Sequence, residues 1–116
     1  MLLPTDLWVS ALIRRAEQAG AFAYVLKKGD ARAGAVILKI THLRARETYI
    51  LRQVTAGDEI RWIRPVATQD EADLSAYIER ERRFDSDLWV VEIEDTEGRH
   101  FLTEKAEVPP PSDRTV

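Results

Sequence analysis

The apolar segment of residues 35–40, AVILKI, constrains the fold more than any other part of the chain. Lys39 is its only charged residue, and Val36, Ile37 and Ile40 are β-branched, which favours a strand. Successive side chains of a strand point to opposite faces. A strand that is apolar at consecutive positions is therefore hydrophobic on both sides. We predict a central strand that is covered on both faces.

Three further segments, residues 22–27, 47–54 and 59–64, are also rich in strand-forming residues. The loops between these segments carry Gly29, Gly34 and Gly57, as strand connections commonly do. Because consecutive strands joined by short loops usually pair, we predict an antiparallel meander of four strands over residues 22–64.

Two helices are predicted, one on each side of the meander. Residues 6–19 have helical apolar spacing after a capping Thr5 and before Gly20, although an alternation of apolar residues over 7–13 leaves a strand open as the alternative. The second helix follows residues 68–71, TQDE, which match a capping box with Thr68 as the N-cap.

The segment of residues 85–102, DSDLWVVEIEDTEGRHFL, is interpreted as a final β-hairpin. Trp89, Val91 and Ile93 alternate with Val90, Glu92 and Glu94. A three-residue loop ending in Gly98 would reverse the chain. This register makes Glu94 and His100 cross-strand neighbours, which would raise the pKa of the histidine. We prefer ordinary cross-strand charge pairing to a small hydrolase built around Glu94 and His100.

The predicted fold is a single α+β domain over residues 1–107, with a mainly antiparallel sheet of five to six strands. Two helices pack on this sheet, and we expect them on one face. Residues 108–116 contain three consecutive prolines and are predicted to form a disordered tail.

Composition limits the classes of protein to which the chain can belong. It has 116 residues and no cysteine, which excludes disulfides and thiolate metal sites. No signal peptide or membrane-spanning apolar segment is visible, so we expect a cytoplasmic protein that does not bind membranes. Phosphate-binding loops and the common hydrolase and metalloprotease motifs are missing. We therefore predict no catalytic residue, no cofactor and no metal site, and we lean against an enzyme.

An arginine-rich region with interleaved aromatic residues is the only pattern that suggests nucleic-acid binding. The acidic pI of about 5.4 weighs against a dedicated nucleic-acid protein. We keep this region as a possible interaction surface and nucleic-acid binding as an alternative function. Its residues are Arg44, Arg46, Arg52, Arg61, Trp62 and Arg64.

Two segments of the chain resemble a family of small bacterial proteins. They are residues 7–39 and 79–102, within which RFDSDLW (83–89) and EGRHFL (97–102) are the most distinctive runs. The family is the domain of unknown function numbered fourteen-ninety-one, and the resemblance covers nearly all of residues 6–102. It implies a single-domain bacterial protein and transfers no activity or ligand.

Our leading hypothesis is a non-enzymatic protein-interaction module, or a self-associating one that forms a homodimer. Catalytic motifs are missing, and unpaired sheet edges favour a further strand or partner that covers them. Residues 1–66 carry a net charge of +5 and residues 67–116 carry −8, an asymmetry that would suit self-association.

Overall fold

The computed structural model describes residues 3–109, which form two helices and one six-stranded sheet. In chain order the elements are α1 (Thr5–Gln18), β1 (Phe22–Lys27), β2 (Val36–His42), β3 (Glu47–Ala56), β4 (Glu59–Ile63), α2 (Glu71–Phe84), β5 (Trp89–Asp95) and β6 (Lys105–Ala106).

The strands lie in the order β1-β5-β2-β3-β4-β6. Strand β5 is antiparallel to β1 and parallel to β2, and β6 is parallel to β4. The predicted α+β domain with two helices on a six-stranded sheet is confirmed, and the sheet is mixed. The predicted meander holds for β2, β3 and β4. It is wrong for β1, because β5 separates β1 from β2.

The connection over residues 28–35 explains how β5 can enter the sheet between two strands that follow each other in the chain. The Asp30 N–H donates to the carbonyl oxygen of Asp87 (3.0 Å), and the indole N–H of Trp89 donates to the carbonyl oxygen of Asp30 (2.7 Å). A Cβ atom at Gly29 would collide with the Asp87 carbonyl. The loop that contains Gly29 therefore packs against the residues before β5 more closely than a side chain at position 29 would allow.

The predicted hairpin over residues 88–102 is wrong. The turn itself forms, with Gly98 at φ 71° and its N–H donating to Asp95 (3.1 Å). The chain after the turn does not pair with β5, because β1 and β2 occupy both edges of that strand. Glu94 is therefore in register with Phe22 and Thr41, and its predicted cross-strand pairing with His100 is wrong.

The helices cover opposite faces of the sheet, so the expectation of one shared face is wrong. Ile37 and Leu38 are neighbours in β2 and both are fully buried, which confirms a central strand covered on both sides. Leu38 packs in the cluster that contains Leu12 of α1, whereas Ile37 packs with Leu74 of α2. The α1 face also holds the alternating residues Trp89, Val91 and Ile93 of β5.

Both helix caps differ from the prediction by one or two residues. Helix α1 begins at Thr5 itself, and the N-cap is Pro4, which has no side chain that can accept a hydrogen bond. In α2 the N-cap is Asp70, whose carboxylate accepts from two backbone N–H groups of the first turn. Thr68 instead accepts from the N–H of Asp70 (3.0 Å), so it stabilises the turn that precedes the helix.

Neither helix of the described chain is long and apolar enough to cross a lipid bilayer. Of the tail predicted to be disordered, residues 110–116 lie outside the described residues.

Candidate functional site

The arginines of the predicted interaction region lie in separate parts of the fold. Arg44 and Arg46 belong to the turn between β2 and β3. Arg52 lies on the α2 face of β3, where its guanidinium donates to Tyr77 (2.9 Å). Arg61 lies on β4, and Arg64 follows that strand and donates to the carbonyl oxygen of Ala67 (3.1 Å). The fold therefore does not assemble these guanidinium groups into one stripe.

Three of these arginines form ion pairs with carboxylates. Phosphate binding depends on clustered positive charge, and an acidic partner reduces the charge that a phosphate would meet. The pairs are Arg44 with Glu97 (3.0 Å), Arg52 with Glu81, and Arg61 with Glu59 (2.9 Å).

Trp62 of the same region is directed into the protein. It is 1% exposed and stacks on Trp8 of α1, with ring centroids 5.5 Å apart and planes inclined by 12°. A base could stack on this indole only if α1 moved away.

His100 and Glu94 have separate surroundings. Among residues 3–109, no hydrogen bond or ion pair joins the two side chains. The Nδ1 atom of His100 accepts from the N–H of Leu102 (2.9 Å). Burial lowers the pKa of His100, whereas pairing with a carboxylate would have raised it. Glu94 lies on the α2 face of β5, beside Phe22.

The fold brings His100 and the second histidine, His42, into the wall of one pocket, whose position the sequence did not predict. His42 ends β2 and Asp95 ends β5, and the carboxyl ends of these parallel neighbours lie at the same edge of the sheet. A cavity of about 620 Å³ opens there, and its wall includes both histidines, Tyr49 and Phe101. The sequence signal was a histidine directly after a buried strand, but the second histidine is 58 positions further along the chain.

The loop that carries His100 is held at several points. The Tyr49 hydroxyl donates to the carbonyl oxygen of Gly98 (2.8 Å), and burial raises the pKa of Tyr49. Phe101 has φ 61°, a backbone conformation that is costly for a bulky side chain. Arg15 of α1 holds that strained residue, because its Nε and Nη2 atoms both donate to the Phe101 carbonyl (3.1 and 2.9 Å).

The hydrogen bonds of the two histidines show which ring nitrogen of each imidazole carries the proton. The Nδ1 atom of His42 accepts from the N–H of Ala45 (3.1 Å), as that of His100 does from Leu102. A nitrogen that accepts carries no proton, so each neutral ring has its proton on Nε2. Each imidazole in the wall of the pocket therefore has one N–H donor, at Nε2. No group of three His, Asp or Glu side chains within the described chain is arranged to hold a metal ion.

Strand β1 forms a second surface feature, an open sheet edge with apolar side chains. Phe22 is 65% exposed, and Tyr24, Val25 and Leu26 are 38–41% exposed. The Tyr24 hydroxyl donates to Glu92 (3.0 Å), and burial together with this carboxylate raises the pKa of Tyr24 to about 12. The opposite edge strand, β6, has only two residues. We refer below to the free edge of Phe22–Lys27 as the β1 edge.

Comparisons with known proteins agree with this fold. The model of the family "Protein of unknown function (DUF1491)" matches residues 3–103. A DUF1491 family protein from Caulobacter crescentus CB15 has a crystal structure with 57% identity and a TM-score of 0.88, which covers 91% of this chain and 100% of that chain. An NMR structure of a DUF1491 family protein from the same organism gives 57% identity, 93% and 99% coverage and a TM-score of 0.86.

A solution structure of a protein from A. tumefaciens is 39% identical, covers 95% of this chain and 100% of that chain, and has a TM-score of 0.76. A search of curated proteins finds no match. The family match and the similarity to solved members both extend over nearly the whole described fold, and the chain belongs to the DUF1491 family.

Proposed function

We propose that this chain is a non-enzymatic protein-interaction module of the bacterial cytoplasm, and that its partner is a second copy of itself bound at the β1 edge. The exposed apolar side chains of that edge are the observation that carries the proposal. An open strand also presents unpaired N–H and C=O groups, which accept a further strand readily. Pairing of two β1 edges would join two sheets into one and remove both edges from water.

The charges beside the β1 edge favour a second copy that runs antiparallel. Lys27 ends β1, where it is in register with Val90, and Glu94 lies beside Phe22 at the other end of the strand, on the same face. Antiparallel pairing places Lys27 of one copy near Phe22 of the other. Neighbouring strands are about 4.8 Å apart, so about 10 Å separates the backbones that carry Lys27 and Glu94. Their extended side chains can close that gap, and a two-fold axis forms the contact twice.

A charge-swap experiment tests the proposal. We expect the wild-type chain to dimerise reversibly in a concentration series by analytical ultracentrifugation. Lys27→Glu and Glu94→Lys each place like charges in the contact and should weaken the dimer. The double variant Lys27→Glu/Glu94→Lys restores the pairing in reverse and should recover most of the lost affinity.

The control is Arg14→Glu, which makes the same change in net charge as Lys27→Glu at an exposed position of α1. It should leave dimerisation unchanged. If the wild-type chain stays monomeric at millimolar concentration, the proposed self-association is wrong. Equal weakening by Arg14→Glu, or a double variant no better than either single variant, contradicts the proposed contact.

Nucleic-acid binding and hydrolysis stay predictions without further support. Carboxylates pair with Arg44, Arg52 and Arg61, so among the described residues only Arg46 and Arg64 of that region have no ion pair. No hydrogen bond or ion pair of the described residues joins His100 to Glu94. The cytoplasmic assignment is supported by the lack of cysteine, which suits a reducing compartment.

A further inference from the structure

A second cavity, of about 390 Å³, lies on the α1 face near the other edge of the sheet. Its volume is within the range of small-molecule sites. Trp8 and the stacked Trp62 form an aromatic wall, Val36 and Ile60 add aliphatic surface, and Glu104 supplies a carboxylate. We call this cavity the tryptophan pocket.

Two polar atoms in the wall of the tryptophan pocket are buried without a partner. Within residues 3–109, neither the indole Nε1 of Trp62 nor Oε1 of Glu104 makes a hydrogen bond. Trp89 shows the usual arrangement, because its indole N–H donates to a backbone carbonyl (2.7 Å). A buried donor or acceptor without a partner is destabilising, and such groups are uncommon in folded proteins. Trp62 needs an acceptor, and Glu104 needs a donor.

The charge of Glu104 and the neighbouring indole rings indicate which chemical group could hydrogen-bond to both atoms. The cation next to Glu104 in the chain, Lys105, pairs with Glu59 instead (3.2 Å), and no ion pair in the described chain includes Glu104. A carboxylate beside indole rings suits an ammonium group, since the face of an indole attracts cations. An ammonium N–H can donate to Glu104, and an oxygen atom close to the ammonium can accept from Trp62.

We propose that the tryptophan pocket binds a small primary amine that carries a neighbouring oxygen acceptor, as amino alcohols and amino acids do. The amine donates to the carboxylate of Glu104 and lies against Trp8, the partly exposed indole of the wall, and its oxygen accepts from the Trp62 N–H after the pocket widens to reach that buried group. The wall of the pocket includes residues of α1, β2, β3, β4 and the segment before β6, at the opposite side of the sheet from the β1 edge. The proposal is therefore independent of self-association.

The test follows the indole N–H resonance of Trp62 in ¹⁵N-labelled protein while ethanolamine is added. The resonance is assigned with Trp62→Phe. We expect a saturable shift of this resonance and a weaker response to choline, which has no N–H to donate to Glu104. Glu104→Gln keeps the size of the side chain and removes its charge, so it should weaken ethanolamine binding about tenfold or more.

Two comparisons make the test decisive. Glu79→Gln changes an exposed carboxylate of α2 in the same way and should leave ethanolamine binding unchanged. Ethylene glycol has the size of ethanolamine without its charge and should not produce a saturable shift. The proposal is overturned if ethanolamine causes no saturable shift, if ethylene glycol binds equally well, or if Glu104→Gln binds like the wild-type protein.

Discussion

Asp95 should stabilise the folded state by its charge, and Asp95→Asn tests this contribution. The carboxylate is 2% exposed and accepts four hydrogen bonds, one from the N–H of Glu97 and three from Arg99. The Arg99 side chain contributes most to lowering the pKa of Asp95 from 3.8 to about 2. A tenfold change in proton affinity corresponds to about 1.4 kcal/mol, so the carboxylate contributes about 2 kcal/mol to the free energy of unfolding at pH 7.

The pH dependence of this contribution has a definite sign. A carboxyl group whose pKa is lower in the folded state stabilises that state above its unfolded pKa, and the stabilisation is lost as the pH falls towards the folded pKa. For Asp95 the window therefore runs from about pH 4 down to about pH 2. About half of the contribution should remain at pH 3.

Urea unfolding followed by circular dichroism at pH 7 and pH 3 measures the effect. Asp95→Asn should lower the free energy of unfolding by about 2 kcal/mol at pH 7, and by about half as much at pH 3. Asp58→Asn changes an exposed carboxylate in the turn between β3 and β4 and serves as the control. Equal stability of Asp95→Asn and wild type at pH 7 would refute the reasoning, as would a loss that does not shrink at pH 3.

Two further substitutions test the packing. Gly98 has φ 71°, and Gly98→Ala places a Cβ atom 2.9 Å from the ring of His42. Gly20 also has a positive φ, but a Cβ atom there would meet open space. Thermal unfolding should therefore show a larger loss of stability for Gly98→Ala than for Gly20→Ala. Equal losses would show that the contact with His42 is unimportant. Leu74→Ala removes a fully buried side chain under α2 and should cost about 2–5 kcal/mol by urea unfolding, while Leu7→Ala, at a position 54% exposed, should cost little. Comparable losses at the two leucines would contradict the assigned core.

Local signals in the sequence located the helices and most of the strands. Helix α1 ends at Gln18, just before Gly20, which has φ 92°, as the sequence predicted. The start of α2 was missed by two residues, because Thr68 and Asp70 are both good capping residues and the sequence does not show which of them lies at the first helical turn. The apolar spacing and the capping residues that determine where a helix begins and ends lie within the helix or next to it. The sequence therefore predicts helix positions to within about two residues.

The final hairpin shows where local signals fail. The turn before Gly98 forms as predicted, since turn formation needs only a few neighbouring residues. The strand that should follow does not pair, because β5 already has β1 on one edge and β2 on the other. Phe101 then takes a positive φ that Arg15, 86 positions away in the chain, helps to hold.

The candidate sites depend even more on distant contacts. The histidine pocket joins the end of β2 to a loop after β5, and the tryptophan pocket joins α1, β4 and the segment before β6. Neither combination has a characteristic spacing in the chain. The exposed β1 edge was also hidden, because Phe22–Lys27 has the composition of a buried strand.

The sequence by itself determined a single α+β domain, the positions of its helices and a central strand with two covered faces. Those features depend on the periodicity and conformational preferences of neighbouring residues. Only the tertiary structure decided that β5 lies between β1 and β2, that the helices cover opposite faces, and which polar groups meet in the pockets. Strand pairing joins residues far apart in the chain, and the stability of each pairing depends on which edges the other strands have already occupied.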